Sequence, residues 1–415
     1  MRVLYLAAAY PLPANNGAKM RLWAVLRAIA ASGHKVTLAT FAEPEDDLAG
    51  TEQELRTVCP GSDIVPLRYT RLSAGGNYAS RLRAILSSSP FAINRFRSEE
   101  MHTRLERRVR ERSFDVVICD NVYSSINLPD GASPVVMNSQ NIEYLILQRY
   151  VEQERNPLKA LYARLEANKL RRFEAAMYRR AALAMTCSSV DAEFVRRLCP
   201  GLETAVAPNV VDVREYEVSN EEDPLTVVYQ GGMDWFPNRD AVEYFVREVL
   251  PLVQKEFPAV RFIAAGRNPA PEFRARFSDV DGLEFTGTLP DLRPVIAKAA
   301  VCVVPLRIGS GTRLKILEAG AMGKAMVSTA IGAEGLDFEP GKEILIADDP
   351  VSFARNVVDL LRDPARRKAL GEAARKRVRQ DYDITALERA IASALENLRQ
   401  SIDVAAGKRQ MATVG

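Results

Sequence analysis

Short, near-continuous apolar runs alternate with helical patterns along the whole chain. In the first half these runs occupy residues 3–9, 35–41, 63–67, 115–120, 134–139 and 183–188. In the second half they occupy residues 225–230, 260–266, 283–287, 301–306, 325–329 and 343–348. Helical patterns lie between them, as at residues 20–31 and 158–180. Because strands of a parallel sheet are buried on both faces, they need apolar residues at nearly every position. The pattern therefore predicts an α/β protein.

The two series of runs predict two doubly wound, Rossmann-like domains with right-handed crossovers. We expect a first domain over residues 1–207 and a second over 225–383, joined by an acidic, proline-bounded linker at 208–224. Residues 384–401 should form a last helix that packs back on the first domain, and 402–415 a disordered tail. Since ligands of open parallel sheets bind at the carboxyl ends of the strands, the two domains should face each other across a cleft.

Composition narrows the class of protein. A chain of 415 residues is too long for one ordinary core, which agrees with two domains. With 47% hydrophobic and 26% charged residues, global disorder is excluded. No uncharged apolar stretch reaches the roughly 18 residues of a membrane-spanning helix. The amino-terminal segment lacks a signal-peptide cleavage region, so we expect a cytoplasmic protein.

The cysteines and histidines do not form the patterns of a metal site or a catalytic triad. The five cysteines are scattered without a CxxC pair, at Cys59, Cys119, Cys187, Cys199 and Cys302. Three of them, Cys119, Cys187 and Cys302, lie inside apolar runs, which predicts buried, reduced thiols. The two histidines, His34 and His102, have no second histidine or cysteine at ligand spacing. This disfavours a histidine-based zinc site and a Ser-His-Asp triad.

The net charge of +3 hides a basic first half. One cluster of arginines comprises Arg68, Arg71, Arg81, Arg83, Arg95, Arg97, Arg104, Arg107, Arg108, Arg110 and Arg112. A second basic stretch covers residues 149–180, whereas acidic residues gather at 215–223. This asymmetry favours an anionic partner such as a membrane surface, a lipid phosphate or a nucleic acid. The alternative is that these cations form ordinary solvated helix faces.

Residues 301–329 carry the most informative motif. An apolar run leads into a glycine-containing turn at residues 309–312, and a helix follows with Arg313, Lys315 and Glu318. The amino-terminal end of a helix offers free N–H groups and a positive dipole to a phosphate. Two cations in the first turn oppose that dipole, which an anion between them would explain. Glu318, one turn later, suits a ribose diol, although a solvated helix start remains the alternative.

The segment PLRIGSGTRLKILEAGAMGKAMVSTAIGAEGL, residues 305–336, resembles the nucleotide-sugar motif of the family 4 glycosyltransferases. These are retaining enzymes of the GT-B fold, and the similarity is to the exopolysaccharide-type subgroup. It extends through residues 230–245, 264–269 and 286–299, and so covers about residues 225–385. In the first half it rests on residues 10–21, 32–38 and 138–145.

The resemblance implies roles for individual residues. Glu318 would hold the donor ribose, Lys315 and Arg313 would neutralise the diphosphate, and the backbone of residues 309–312 would hold sugar and phosphate. Gly17 would lie beside the diphosphate, and Thr288 and Leu289 beside the nucleobase. The implied donor site comprises Gly17, Gly232, Arg239, Gly266, Thr288, Leu289, Gly309, Ser310, Gly311, Thr312, Lys315 and Glu318. The implied catalytic set is Lys315, Arg313, Glu318 and Gln140.

Two positions depart from the family pattern. Ser310 stands where the family often has an acidic residue that touches the donor sugar. Gln140 stands where the family commonly has a histidine before Asn-Ile-Glu. Glutamine can hydrogen-bond a sugar hydroxyl but cannot act as a general base.

These features predict a retaining transfer from a nucleoside-diphosphate sugar to a hydroxyl, without metal or cofactor. The leaving phosphate oxygen can itself take the acceptor proton, so electrostatic stabilisation carries the chemistry. Two DxD-like segments, residues 279–281 and 381–383, are interpreted as surface loops. The basic, leucine-bearing helix at 158–180 could lie on an anionic membrane, which would favour a lipid-linked saccharide acceptor. Its alternative is a core helix with a solvated cationic face.

Three other functions are alternatives. A non-catalytic nucleotide-sugar-binding subunit is kept open by Gln140. A dinucleotide oxidoreductase is disfavoured because no GxGxxG follows a strand: Gly231 and Gly232 precede Met233 instead. Arginine-rich helices without aromatic residues on strands are a weak nucleic-acid signal, so no nucleic acid is expected as a partner.

Overall fold

The computed structural model describes residues 1–66, 87, 89–111, 113–132, 134–218, 221–267 and 269–414, with the backbone alone from 405 onward. Its contacts divide the chain into two compact units. The first contains Met1–Pro208 and Thr385–Gly415, and the second contains Asn209–Ile384. The arginines at positions 68, 71, 81, 83 and 112 lie outside the described residues, as does the last residue of the run at 63–67.

The first unit is built on a parallel sheet with the order β3-β2-β1-β4-β5-β6-β7. Its strands are β1 (Arg2–Ala7), β2 (Lys35–Ala42), β3 (Gly61–Pro66), β4 (Val116–Asp120), β5 (Val135–Ser139), β6 (Leu183–Thr186) and β7 (Thr204–Val206). Its helices up to β7 are α1 (Gly17–Ala31), α2 (Leu48–Val58), α3 (Phe91–Asn94), α4 (Glu99–Arg110), α5 (Asn121–Ser124), α6 (Glu143–Gln153), α7 (Pro157–Arg180) and α8 (Ser189–Leu198).

Local sequence explains where these elements lie. Every residue of β4 and β5 is buried, as expected for central strands of a sheet covered on both faces. The Asn16 side chain accepts a hydrogen bond from the Lys19 amide and so caps α1. Asn156 caps α7, and Pro157 occupies its first turn, where a missing N–H costs nothing.

The second unit is built on a parallel sheet with the order β10-β9-β8-β11-β12-β13. Its strands are β8 (Asp223–Gln230), β9 (Arg261–Ala265), β10 (Leu283–Phe285), β11 (Ala299–Val304), β12 (Ala325–Ser328) and β13 (Leu345–Ile346). Its helices are α9 (Phe236–Tyr244), α10 (Leu250–Gln254), α11 (Pro271–Ala275), α12 (Arg293–Lys298), α13 (Leu314–Ala321), α14 (Ala330–Ala333), α15 (Pro350–Arg362) and α16 (Pro364–Asp381). A π-helical turn at Phe245–Val249 joins α9 to α10.

Both sheets confirm the predicted doubly wound α/β class, and each of the twelve predicted runs overlaps a strand. The short edge strand β7 was missed because its sequence, Thr-Ala-Val, is too brief to show a pattern. The five cysteines, all among the described residues, are free, and Cys119, Cys187 and Cys302 are buried as predicted. Within the described chain, no helix is both long and apolar enough to cross a bilayer.

The predicted linker, residues 208–224, and the predicted disordered tail, residues 402–415, differ from what we expected. Much of the predicted linker belongs to the second unit: the Val211 amide donates to the Tyr382 carbonyl at 3.0 Å, and Tyr216 lies in the core. The last helix, α17 (Ile384–Val414), groups with the first unit from Thr385 onward. It buries Leu387, Ile391, Leu395 and Leu398. This helix continues past residue 401, through most of the segment where we expected disorder.

Candidate functional site

The second sheet reverses its winding between β8 and β11, which are hydrogen-bonded neighbours although two strands separate them in sequence. In doubly wound sheets the ligand crevice lies at the carboxyl ends of the strands at such a switch point. Gln230 ends β8, and the turn at residues 309–312 follows β11. The predicted motif therefore lies at the position where this fold class binds ligands.

The glycine turn is held from within by Arg313. This side chain is only 8% exposed, and its guanidinium donates to the carbonyls of Ser310 and Gly311 and, at 3.4 Å, to that of Ile331. Gly311 has a φ of +72°, a conformation that favours glycine. A Cβ at Gly309 would collide with the Arg313 guanidinium. Arg313 thus fixes the shape of the turn, whereas the resemblance implied that it would neutralise a diphosphate.

Lys315 lies in the first turn of α13, half-buried. Its Nζ donates to Tyr229 Oη at 2.8 Å and to Asn238 Oδ1 at 3.0 Å, and it lies 4.2 Å from the centre of the Tyr229 ring. Burial, with a contribution from the nearby Arg313 charge, lowers the pKa of Lys315 to about 7. Described residues take two of the three N–H donors of the protonated amine, which leaves the third for a ligand.

Glu318 lies one turn further along α13. Its Oε1 accepts from Tyr216 Oη at 3.2 Å, and its Oε2 accepts from Gln230 Nε2 at 2.8 Å. Burial raises the pKa of Glu318 to about 7, against the opposing effects of Tyr216 and Lys315. Gln230 Nε2 also donates to the Lys315 carbonyl at 3.2 Å, and so it ties the end of β8 to α13. An amine and a carboxyl group are thereby held on one face of a helix at its amino-terminal end.

The other predicted residues of the second unit lie at the same edge of the sheet. Gly266 follows β9, and a Cβ there would collide with the Gly231 backbone. Gly232 lies beside Asp234, and Arg239 donates to the Met233 carbonyl at 2.8 Å.

Thr288 and Leu289 occupy the loop after β10, exposed and half-buried respectively. Thr312 accepts a hydrogen bond from Asn209 Nδ2 at 2.8 Å, and Ser310 is buried.

Gly17 and Gln140 belong to the first unit. Gly17 is the first residue of α1, and Gln140 directly follows β5. Gln140 Nε2 donates to Asp120 Oδ2 at 2.8 Å, and the other oxygen of Asp120 accepts from Tyr5 and Asn138.

Burial raises the pKa of Asp120, while these hydrogen bonds oppose the increase. Arg21 Nη2 donates to Asn138 Oδ1 at 3.3 Å and to the Ala207 carbonyl at 2.9 Å. The network fixes the Gln140 amide with its Nε2 turned toward Asp120.

Sequence reasoning missed the partners of the motif: Tyr229, Gln230, Asn238, Tyr216 and Asn209. Each sits 77 to 103 residues away from the side chain it contacts. One signal was available: a polar glutamine ends an otherwise apolar strand, directly before two glycines.

The two DxD-like segments have structural partners or surface positions. Asp381 forms an ion pair with Arg377 at 2.8 Å, and Asp383 accepts from the Val213 amide at 3.2 Å. Asp279 and Asp281 lie on the exposed turn before β10. Across the part of the chain that the structure describes, no group of three or more His, Cys, Asp or Glu side chains is arranged to hold a metal ion.

Comparisons with known proteins show what the chain is similar to. Residues 224–363 match the family described as Glycosyl transferases group 1. The matched segment begins in β8 and includes the glycine turn, Lys315 and Glu318. A curated relative, an uncharacterised 44.6 kDa protein in the cps region of Klebsiella pneumoniae, is 23% identical over 92% of this chain and 96% of its own length.

Solved structures share the fold over nearly the whole chain. Sucrose-phosphate synthase from Thermosynechococcus elongatus superposes with a TM-score of 0.70 at 17% identity, covering 98% of this chain and all 100% of its own. Anabaena HepE, in complex with UDP-glucose, superposes with a TM-score of 0.61 at 13% identity, covering 96% of this chain and 100% of its own. The chain has the GT-B architecture that the resemblance implied.

Proposed function

We propose that the protein is a retaining glycosyltransferase that moves a sugar from a nucleoside-diphosphate sugar to a hydroxyl acceptor in polysaccharide biosynthesis. The observation that carries the proposal is the Lys315–Glu318 pair on the first turns of α13, at the switch point of the second sheet. The matching family domain and the cps region of the Klebsiella relative support the reaction class and its pathway type. The UDP-glucose complex of HepE supports a nucleoside-diphosphate sugar as donor.

In this proposal Lys315 and Glu318 bind different parts of the donor. Lys315 donates its remaining N–H to the diphosphate, which also meets the positive end of the α13 dipole. Glu318, positioned by Gln230 and Tyr216, accepts hydrogen bonds from the ribose hydroxyls. Arg313 contributes by fixing the glycine turn that approaches the sugar and phosphate. Gly232, Gly266, Thr288 and Leu289 complete the donor site as expected from the resemblance.

The bond from the anomeric carbon to the diphosphate oxygen breaks, and the acceptor oxygen bonds to the same face of that carbon. The acceptor proton passes to the departing phosphate oxygen, so charge and atoms balance without a protein base. Positive charge near the diphosphate can lower such a barrier by several kcal/mol, on the order of other electrostatic sites. Gln140 is proposed to accept a hydrogen bond from a sugar hydroxyl, and Gly17 to allow close approach of the diphosphate.

The test combines nucleotide binding with donor turnover. Thermal shifts with UDP, GDP, dTDP and ADP identify the nucleobase, and hydrolysis of the matching sugar nucleotide shows turnover. Lys315→Ala and Glu318→Ala should abolish turnover and strongly weaken nucleotide binding, whereas Lys368→Ala and Glu372→Ala, a surface pair on α16, should change neither. EDTA should leave turnover unchanged, and the anomeric configuration of a product, read by NMR, should match the donor.

The outcomes separate two functions. Gln140 in place of a histidine favours, as a second candidate, a nucleotide-sugar-binding subunit without activity. Stabilisation by one nucleotide with no donor breakdown, even with lipid extracts as acceptors, would support that candidate. If no nucleotide stabilises the protein, both fail.

A further inference from the structure

The outer face of α7 carries exposed leucines in adjoining turns. Leu158, Leu161 and Leu165 are 77%, 56% and 41% exposed. Spacings of three and four residues place them on one side of the helix, and we refer to them as the leucine stripe. Single exposed leucines are common on soluble proteins, but a contiguous apolar strip indicates a surface that meets another molecule.

Charge on α7 is segregated between its two faces. The helix has two carboxylates, and both are buried: Glu166 is 6% exposed and Glu174 is 1% exposed. Glu166 Oε2 accepts from the Phe91 amide at 2.7 Å, and Glu174 accepts from two backbone amides at the start of α6. The exposed charged residues of the helix are all cations: Lys159, Arg164, Arg171, Arg172, Arg179 and Arg180.

Several cations near the leucine stripe have no ion-pair partner among the described residues. Lys159, Arg164, Arg171 and Arg172 form no salt bridge with any residue in the described ranges. An apolar strip flanked by cations outside ion pairs is the pattern of a helix that lies in the interface of an anionic bilayer, with the apolar side chains below the headgroups.

We propose that the leucine stripe and the cations around it form a docking surface for an anionic lipid bilayer. Charge complementarity selects this partner. A second copy of the chain would bring the same cations face to face, which like-charge repulsion opposes. A nucleic acid would meet the cations but would leave the leucines exposed to water. The surface belongs entirely to the first unit, so the inference does not depend on the proposed transferase reaction.

The experiment measures co-sedimentation of the full-length protein with vesicles, without nucleotide. The protein should bind vesicles of phosphatidylcholine with phosphatidylglycerol, should bind pure phosphatidylcholine far more weakly, and should dissociate as salt is raised. Leu158→Ser/Leu161→Ser should lower the partition coefficient by at least about tenfold, because two leucine side chains that the bilayer would bury are lost. Lys159→Gln/Arg164→Gln should lower it about fivefold for each charge removed.

Matched controls lie on the second unit. Val351→Ser, at a position that is 57% exposed, removes an exposed apolar side chain without touching the leucine stripe. Lys368→Gln/Lys376→Gln removes two exposed cations from α16. Both should bind vesicles like the unchanged protein, and thermal melts should show that all variants remain folded.

Four results would overturn the proposal. The unchanged protein could fail to bind anionic vesicles at low salt, or binding could survive both α7 double variants. Light scattering could show a dimer that the leucine variant dissociates, which would assign the face to a second copy. Capture of an oligonucleotide that needs the cations but not the leucines, in place of vesicle binding, would assign it to nucleic acid.

Discussion

Nucleotide binding should be coupled to protonation of Lys315. The free protein holds this amine with a pKa of about 7 because of burial, well below the ordinary value of 10.5. An anion placed against the amine favours its charged form and raises the pKa again. Above pH 7 the protein must therefore take up a proton at Lys315 when a nucleoside diphosphate binds, and the affinity must fall as the pH rises.

The magnitude follows from the protonated fraction of Lys315 in the free protein. With a pKa of about 7, that fraction is about one half at pH 7 and about one hundredth at pH 9. The affinity for the nucleotide that gives the largest thermal shift should then fall about fiftyfold, or about 2.3 kcal/mol, over this range. The diphosphate itself is ionised throughout, so it adds little to the slope.

Titration calorimetry in buffers of different ionisation enthalpy measures both the affinity and the proton uptake. At pH 8.5 uptake should approach one proton per nucleotide. Lys315→Arg keeps a permanent charge and should bind with almost no pH dependence, while Lys315→Met should bind weakly at every pH. Glu318→Gln removes the other group of the site whose pKa is about 7; it should weaken binding and leave the fall in affinity that Lys315 causes. A pH-independent affinity with no proton uptake in the unchanged protein would refute the assignment of Lys315 to the diphosphate.

Three further predictions concern stability, each read by urea unfolding. Gly266→Ala should destabilise the second unit by at least about 2 kcal/mol because its Cβ meets backbone, whereas Gly341→Ala, with open space around it, should cost about 1 kcal/mol; equal losses would contradict the clash. Asp120→Asn should cost about 2 kcal/mol, more than Tyr5→Phe, since an amide cannot accept from every donor around that carboxylate. Burial raises the pKa of Glu174 to about 8, so its folded form keeps a proton that the unfolded chain loses near pH 4.5. The free energy of unfolding should therefore fall as the pH rises from 4.5 to 8, relative to that of Glu174→Gln, by at most about 1.4 kcal/mol per pH unit. If the free energies of unfolding of the two proteins change in parallel with pH, the assignment is wrong.

The hydrophobic pattern was sufficient to predict the fold because a strand buried on both faces needs apolar residues along its own short segment of sequence. Strands β4 and β5 are apolar at nearly every position, so their sequence alone shows that both faces are covered. The same holds for Lys315 and Glu318, whose spacing on α13 is fixed by helix geometry.

Contacts that depend on tertiary packing could not be predicted in this way. Tyr229, which accepts a hydrogen bond from Lys315, lies on a strand 86 residues earlier. The apolar pattern of that strand predicts that the tyrosine ring is buried, but it does not show which side chain the hydroxyl contacts. Arg313 folds back on the carbonyls of its own turn, and that rotamer depends on the turn's shape. Glu174, on the basic helix α7, turns inward to cap α6, which the charge pattern alone does not show.

The hydrogen bond from Gln140 to Asp120 decides what the glutamine can recognise. A free amide could meet either a donor or an acceptor by turning over, but here one N–H of its NH₂ group is committed to a carboxylate, which fixes the orientation of the amide. The carbonyl oxygen and the second N–H remain, so the residue favours a ligand group that can both donate and accept, such as a sugar hydroxyl. An amide does not titrate, so this preference should be the same in acid as in base, whereas an imidazole at this position would change its hydrogen-bonding character near neutral pH.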